Sequence, residues 1–277
     1  MPSAPPQATR SHGHYLSLRN VLVTSEHTAV LNKVDAHFPE GISSVIMGPS
    51  GCGKSTLLKV AAGITVPDSG KVYLQGKNLF RLSEKKLLHF RKGNGFVFQD
   101  AALWSNKTIQ QNLALPLQFH RRELSQHAID RRINILLEKM DLVDTLNLRP
   151  AQLSTGEQKV VSFLRAVILE PSTLFIDEVL PSLDHVMVER LMSMIRDLKQ
   201  QGCTIIAVTH DARLTSLIAD HLVIMNRGRV LECGPFDSVR KSKNHEVISI
   251  LTEVLSEAAT YETDLLDLLG GEKTTEP

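Results

Sequence analysis

The sequence SSVIMGPSGCGKSTLLKVAAGI, residues 43–64, decides the fold of this 277-residue chain. Its beginning, SSVIMG, predicts a short buried strand, and its end carries apolar residues at helical spacing. Between them, Gly48 to Ser55 match G-x-x-x-x-G-K-[ST] in the strand–loop–helix context that this phosphate-binding motif requires. Glycines let the backbone turn so that consecutive N–H groups converge on phosphate oxygens, and the following helix directs its dipole at the same anion. We therefore predict that the loop binds a nucleoside triphosphate, with Lys54 on the β- and γ-phosphates and Ser55 on Mg²⁺.

Two apolar strands further along the chain end in polar residues. TLFID ends in Asp177, which Glu178 follows, and TIIAV precedes Thr209 and His210. Parallel neighbouring strands present their carboxyl ends at one edge of a sheet, so these side chains are expected beside the phosphate-binding loop. We predict that Asp177 holds Mg²⁺, that Glu178 polarises the attacking water as a general base, and that His210 reaches the γ-phosphate. Taken alone, each of these groups is equally an ordinary strand end.

Apolar strands alternate with amphipathic helices over much of the chain, which predicts an α/β fold with a mainly parallel sheet covered on both faces. Short β-type runs between Tyr15 and Asp35 predict an antiparallel β-edge subdomain. Residues 85–165 are predicted to form a mostly helical subdomain. We expect a flexible N-terminal tail at residues 1–14, one nucleotide-binding domain at 15–240 and a C-terminal extension at 241–277.

The predicted extension contains an amphipathic segment. One helical face of it carries Val247, Ile250, Leu251, Val254 and Ala258. We predict that Val247, Ile250, Leu251 and Val254 pack on a second subunit. The alternative is a solvated acidic terminus, since residues 245–277 hold eight acidic residues and one lysine.

Composition excludes several classes of protein. Lysine and arginine number 31 against 30 acidic residues, and this near-neutral balance argues against a non-specific nucleic-acid binder. No window approaches the roughly 18–20 apolar residues that a membrane span needs, and the first residues lack the apolar core of a secretory signal. Cys52, Cys203 and Cys233 are odd in number and lack metal-type spacing, so three reduced thiols are expected.

Six short motifs occur in an order that resembles the ATP-binding-cassette (ABC) ATPase family over residues 15–240. They are the loop Gly48–Thr56 (Walker A), Gln99 in GFVFQD (the Q-loop), LSTGEQ at 153–158 (the signature motif), Asp177 with Glu178 (Walker B), Ser182 to Asp184 (the D-loop) and His210 (the switch histidine). Each motif apart from the first is weak alone. Their shared order carries the resemblance.

The resemblance implies a P-loop ABC ATPase core that works as a head-to-tail homodimer, with ATP and Mg²⁺ between Walker A of one subunit and the signature of the other. Ser154 and Gly156 would contact the γ-phosphate bound by the partner, Ser154 alternatively being an ordinary helix N-cap. Catalytic roles fall to Glu178, His210, Lys54 and Gln99, and metal contacts to Ser55, Gln99 and Asp177. The residues assigned to nucleotide binding are Gly48, Pro49, Ser50, Gly51, Cys52, Gly53, Lys54, Ser55, Thr56, Ser154, Gly156 and Asp184.

The chain departs from the family pattern at four places. Thr155 replaces a glycine and Glu157 a glutamine in the signature, and Val179 stands where proline commonly follows Walker B. None of these changes removes a reacting group, so hydrolysis is still expected. The aromatic residue that normally stacks on adenine is missing; Ser25 stands in its place, with His27 as the nearest ring.

The resemblance also implies a stand-alone ATPase subunit bound peripherally to the cytoplasmic face of the cell membrane, through a separate integral-membrane permease. Residues 98–117 most resemble the Mce/Mla-type lipid-trafficking branch, which implies phospholipid transport and an Mce-type lipid-binding partner. Phe96, Phe98, Leu103 and Trp104 are candidates to line the permease groove, ordinary core packing being the alternative. An ATPase for lipoprotein release or polar-solute transport, or a non-transport ABC regulator, remains open. No nucleic-acid partner is expected.

Overall fold

The computed structural model describes residues 14–26 and 28–259, and two β-sheets organise them. The strands are β1 (His14–Ser25), β2 (Thr28–Pro39), β3 (Ser43–Met47), β4 (Ser69–Leu74), β5 (Lys77–Asn78), β6 (Asn94–Val97), β7 (Thr173–Asp177), β8 (Thr204–Val208), β9 (His221–Asn226) and β10 (Arg229–Pro235). The α-helices are α1 (Lys54–Ala61), α2 (Glu84–Lys92), α3 (Ile109–His120), α4 (Gln126–Met140), α5 (Thr155–Val167), α6 (His185–Gln200), α7 (Ala212–Ile218), α8 (Phe236–Val239) and α9 (His245–Ala259).

The larger sheet has the strand order β10-β9-β3-β8-β7-β6. Its five strands from β9 to β6 are parallel, and β10 returns antiparallel to β9. Every residue of β3, β7 and β8 is buried, as expected where both faces of a parallel sheet are covered. The carboxyl ends of β3, β8, β7 and β6 therefore meet at one edge, where the segments that contain Lys54, His210, Glu178 and Gln99 begin.

The smaller sheet has the order β2-β1-β4-β5 and is wholly antiparallel. Its long pair, β1 and β2, confirms the antiparallel β-edge predicted between Tyr15 and Asp35. A second apolar core lies between this sheet, α1 and the large sheet, and it includes Phe38, Leu57 and Phe175. The phosphate-binding loop is thereby held between two packed layers.

The sequence analysis did not predict the strand that forms the edge of the larger sheet. Asn94–Val97 forms β6 within the stretch that we expected to be mostly helical, and it pairs in parallel with β7 through Phe96 opposite Phe175. Four residues give too short a run for strand alternation to be visible in the sequence. Its partner β7 supplies the hydrogen bonds that decide the conformation.

The predicted contact of the C-terminal amphipathic face with a second subunit is wrong for the residues whose side chains are described. Val247, Ile250 and Leu251 are buried within the chain's own main core, and α9 contacts α7. Asn226 also donates to the Glu246 carboxylate at 3.1 Å. The side chains of Val254 and Ala258 lie outside the described residues, as does the N-terminal tail apart from His14, which begins β1. Within 14–26 and 28–259, no helix has the length and apolar character needed to cross a bilayer.

Candidate active site

The loop between β3 and α1 has the backbone of an anion-binding site. Gly48, Gly51 and Gly53 have φ values of 155°, 75° and 105°, which favour glycine. A Cβ on Gly48 would lie 2.1 Å from the Met225 carbonyl oxygen, so no other residue fits there. Among the residues that the structure describes, no side chain caps the first turn of α1, which leaves its N–H groups for an anion. The Lys54 ammonium, 6% exposed, donates to the carbonyl oxygens of Gly48 at 2.8 Å and Pro49 at 2.9 Å.

The remaining predicted members of the loop surround this core. Ser50 is exposed, Thr56 is half-buried and Cys52 is buried. Burial raises the pKa of the Cys52 thiol, with nearby Lys54 opposing the shift. The sulfur is therefore a thiol at neutral pH and contributes its backbone rather than a nucleophile.

Ser55 and Asp177 meet from different elements. The Ser55 hydroxyl donates to the Asp177 carboxylate at 2.8 Å, and Asp177 is 1% exposed. Burial raises the pKa of Asp177, and the bond from Ser55 partly offsets that shift. Neighbouring oxygens around octahedral Mg²⁺ lie about 2.9 Å apart. The Ser55 and Asp177 oxygens are therefore suitable ligands for Mg²⁺ in both their chemistry and their separation.

Glu178 lies between the two other polar groups predicted for catalysis. Its carboxylate accepts from the Gln99 amide at 3.3 Å and lies 3.4 Å from His210 Nε2. Its backbone N–H donates to Val208 at 3.0 Å, so β7 and β8 hold its position. The φ of Glu178 is +47°, a left-handed conformation that costs about 1–2 kcal/mol in a non-glycine residue. Such conformations persist where the surroundings enforce them, and they cluster at functional sites.

The signature residues lie against the D-loop of the same chain. A Cβ on Gly156 would lie 2.6 Å from the Ser182 carbonyl oxygen, and its other nearest neighbours also belong to Ser182 and Leu183. Ser154 caps α5 in a capping box with Glu157. Both its hydroxyl and its backbone N–H donate to the Glu157 carboxylate at 2.7 Å, while its oxygen accepts from the Glu157 N–H at 3.2 Å. The N-cap alternative for Ser154 is thus realised, and its hydroxyl proton is held by an acid.

Two cations of α5 contact this region, and neither was predicted. The Lys159 ammonium donates to the carbonyl oxygens of Pro181 at 2.9 Å and Glu178 at 3.4 Å. Burial lowers the pKa of Lys159. Arg165 donates to the carbonyls of Ala102 at 2.9 Å and Ala101 at 3.2 Å, just after Gln99. A lysine or arginine within a mostly apolar helical segment is a signal of a buried cation. The sequence does not show which carbonyl groups bind these cations, because those groups lie far away along the chain.

Asp184 caps α6 by accepting from the Met187 N–H at 2.8 Å. A cleft of about 370 Å³ separates this D-loop segment from the end of β8, and Glu178, His210 and Ser182 are among its lining residues. Three predicted motifs therefore open on one cavity.

The four residues predicted for the permease groove differ in how far they are buried. Phe96 packs against Phe98 and Phe175, with ring centroids 4.4 and 6.0 Å apart, so core packing accounts for this pair. Leu103 is half-buried against the main core. Trp104 is 58% exposed.

Ser25 stands where the family carries the aromatic residue that stacks on adenine, and it is exposed. His27 lies outside the described residues.

Comparison with known proteins identifies relatives for most of the chain. The sequence profile of the family described as "ABC transporter" matches residues 31–180. The chain is 36% identical over 223 residues to the sulfate/thiosulfate import ATP-binding protein CysA of Mesostigma viride, covering 80% of this chain and 62% of that protein. It is also 36% identical over 205 residues to the methionine import ATP-binding protein MetN of Thermobifida fusca, covering 74% of this chain and 63% of that protein. The chain thus spans less than two thirds of these relatives' length.

Among solved structures, the chain resembles a dimeric ATP-binding cassette in a post-hydrolysis state bound to ADP and phosphate. The TM-score is 0.73 at 30% identity, covering 79% of this chain and 98% of that one. The mixed α/β fold is therefore that of these cassettes. The relatives named above carry import names that do not mention lipids, so they do not support the predicted Mce/Mla-type branch or an Mce-type partner.

Proposed function

The chain belongs to the ABC transporter family, and from that premise we propose that it is the subunit that binds and hydrolyses ATP to power a membrane transporter. One observation carries the proposal. Walker A, Gln99, Glu178 and His210 converge at one edge of the parallel sheet, with Glu178 in contact with both Gln99 and His210. An anion-binding loop beside a held carboxylate is what phosphoryl transfer to water requires.

The residues of this edge divide the chemistry between them. When ATP binds, Lys54 exchanges its bonds to the loop carbonyls for phosphate oxygens. Ser55 and Asp177 would hold Mg²⁺, which would supply positive charge against the phosphate oxygens. Glu178 accepts a proton from the attacking water as the bond between the γ-phosphorus and its bridging oxygen breaks, which releases ADP and phosphate. His210 orients the γ-phosphate. Gln99 donates to Glu178 and would also contact the metal.

We assign completion of the site to a second copy of the chain. Gly156 lies beside the D-loop, which also contains Asp184, and Ser154 caps the same helix two residues before Gly156. The relative whose structure is described as dimeric supports a head-to-tail homodimer. In that arrangement the start of α5 would face the γ-phosphate held by the partner, where its N–H groups and dipole favour an anion. The adenine ring of ATP would be held without the aromatic residue that normally stacks on it.

The partner in the membrane is proposed to be a permease that binds near the Q-loop, with the chain on the cytoplasmic face. The exposed Trp104 and the backbone of Ala101 and Ala102, held by Arg165, offer the contact. Since the relatives named above are import ATP-binding proteins, we propose import of a small solute. Lipid trafficking is the second candidate, favoured by the sequence of residues 98–117. Purification from membranes with identification of the bound permease and lipids separates the two.

The hydrolytic role is tested by Glu178→Gln. This substitution keeps the shape of the side chain but removes the base, so steady-state ATP hydrolysis should fall at least about 100-fold while ATP binding is retained. The matched control is Glu123→Gln, at an exposed residue whose carboxylate lies 3.7 Å from the Arg121 guanidinium. Undiminished hydrolysis in Glu178→Gln would refute the assignment of the base.

A further inference from the structure

Three side chains from three strands meet outside the nucleotide site. His37 lies on β2, His221 begins β9 and Cys233 lies on β10. One atom of each lies within 4.8 Å of the others. The Cys233 sulfur is 3.4 Å from His37 Nδ1 and 4.0 Å from His221 Nε2, and the two histidine Nε2 atoms are 3.3 Å apart.

The fold brings this cluster together from distant parts of the chain. In the β9–β10 hairpin, Cys233 pairs with Val223 and Pro235 with His221, so His221 and Cys233 are diagonal neighbours on one face. His37 reaches the same face from β2, which contacts β10. The smaller sheet and the hairpin edge of the larger sheet therefore both contribute to it.

The three ligand atoms lie within about 1.5 Å of the separations found in a tetrahedral metal site. With zinc–sulfur bonds of about 2.3 Å and zinc–nitrogen bonds of about 2.0–2.1 Å, tetrahedral angles put ligand atoms about 3.3–3.6 Å apart. The 3.4 Å between Cys233 and His37 lies within that range. His37 offers one nitrogen to a metal, so either its Nδ1 supplies this 3.4 Å edge or its Nε2 supplies the 3.3 Å edge to His221. The other edges are 4.0 Å between Cys233 and His221 and at most 4.8 Å for the third, and side-chain movements of up to about 1.5 Å bring them into range.

The donor set also has the right chemistry. A thiolate with two imidazoles suits a borderline cation such as Zn²⁺ and does not suit Mg²⁺ or Ca²⁺, which prefer oxygen. His221 is buried, whereas His37 and Cys233 are half-buried. A three-ligand site with one side toward solvent leaves a fourth position for water or another small ligand.

The cluster is separate from the nucleotide site. His221 pairs with Ser44 near the start of β3, whereas the phosphate-binding loop follows Met47 at the end of that strand. The length of β3 places about 10 Å between them. A metal here acts on the join between the two sheets rather than on ATP.

We propose that His37, His221 and Cys233 bind Zn²⁺ and thereby cross-link β2 to the β9–β10 hairpin. Zn²⁺ needs the three side chains to be brought together by the fold, so its binding free energy stabilises the folded chain over the unfolded one. The site contributes no group to hydrolysis.

The test uses the full chain without a polyhistidine tag, stripped with chelator, reduced and free of nucleotide. Co²⁺ is the spectroscopic probe, since thiolate ligation gives a charge-transfer band that oxygen ligands at Ser55 and Asp177 do not. One Co²⁺ per chain should produce this band, and Zn²⁺ should displace it. Zn²⁺ should also raise the midpoint of thermal unfolding and slow alkylation of Cys233.

Cys233→Ser should abolish the band and the thermal shift. His37→Gln, at the more exposed imidazole, should weaken binding at least about 100-fold, since even outer-shell partners of metal ligands contribute about 10–100-fold. The control is Cys203→Ser, which removes a buried thiol that contacts the Pro171 carbonyl and should leave the band intact. Absence of a thiolate band in the wild-type chain, its survival in Cys233→Ser, or its loss in Cys203→Ser would overturn the proposal.

Discussion

Replacing Glu157 by glutamine is predicted to weaken the folded chain and to strengthen its ATP-dependent dimer. The carboxylate of Glu157 accepts two bonds at 2.7 Å, from the hydroxyl and the backbone N–H of Ser154. In the proposed dimer, that hydroxyl must donate to the partner's γ-phosphate instead. The Glu157 carboxylate therefore competes with the γ-phosphate for the Ser154 hydroxyl. It also places a negative charge beside the negatively charged phosphate.

The two effects have different sizes. An amide keeps the capping geometry but loses the charge near the N-terminus of α5, which is worth about 0.3–1 kcal/mol. Charge-assisted bonds are also stronger than neutral ones, so the free energy of unfolding should fall by about 0.5–1.5 kcal/mol. A phosphate oxygen bound to the Ser154 hydroxyl would lie within about 5 Å of the carboxylate. At an effective dielectric constant of about 20, repulsion over that distance is about 3 kcal/mol per pair of unit charges.

Solvent around Ser154 reduces that repulsion, so the ATP-bound dimer of Glu157→Gln should be about 10- to 100-fold tighter. The assay is sedimentation with ATP in a Glu178→Gln background, which prevents hydrolysis, alongside chemical unfolding without nucleotide. Glu138→Gln is the control, because Glu138 is exposed on α4. Dimerisation that is unchanged or weaker in Glu157→Gln would refute the competition between the acid and the phosphate.

Three further predictions concern the same framework. Asp177→Asn should abolish Mg²⁺-dependent hydrolysis while stabilising the chain by about 0.5–2 kcal/mol, since burial raises the pKa of Asp177 and its charge costs stability. The penalty is relieved as pH falls through the raised pKa, so unfolding curves of the two proteins should converge in acid. Gly156→Ala places a Cβ 2.6 Å from the Ser182 oxygen; moving the D-loop should cost about 1–3 kcal/mol in unfolding experiments and reduce hydrolysis more than about tenfold. Val247→Ala should destabilise the monomer by about 1–3 kcal/mol without changing ATP-dependent dimerisation by sedimentation, and selective loss of the dimer would contradict the packing of α9 on its own chain.

Much of the candidate site was predictable because its signals are local. The phosphate-binding loop is read from eight consecutive residues, and the bonds between Ser154 and Glu157 span three positions along one helix. The parallel sheet was predictable in kind, since buried strands alternate with amphipathic helices. Strand β6 was missed, because four residues next to β7 are ordered by that neighbour and not by their own pattern.

The amphipathic face of α9 shows a different limit. Its periodicity correctly indicated an apolar face, yet periodicity does not say which surface covers that face. We expected a second subunit, whereas Val247 and Ile250 are buried in the chain's own core. Packing on the same chain and packing on a second subunit remove the same apolar area from water. Both arrangements therefore give the same pattern of apolar residues in the sequence.

By itself, the sequence determined the family, the order of its motifs and the chemical groups available for phosphate, metal and water. Only the tertiary structure decided that Arg165 holds the backbone after Gln99, that Glu178 lies between Gln99 and His210, and that His37 and His221 lie beside Cys233. Motifs and helical periods depend on contacts within a few residues, which a single sequence displays. The other contacts join positions 12 to 196 residues apart, and they depend on the order in which strands pair, which sequence spacing does not contain.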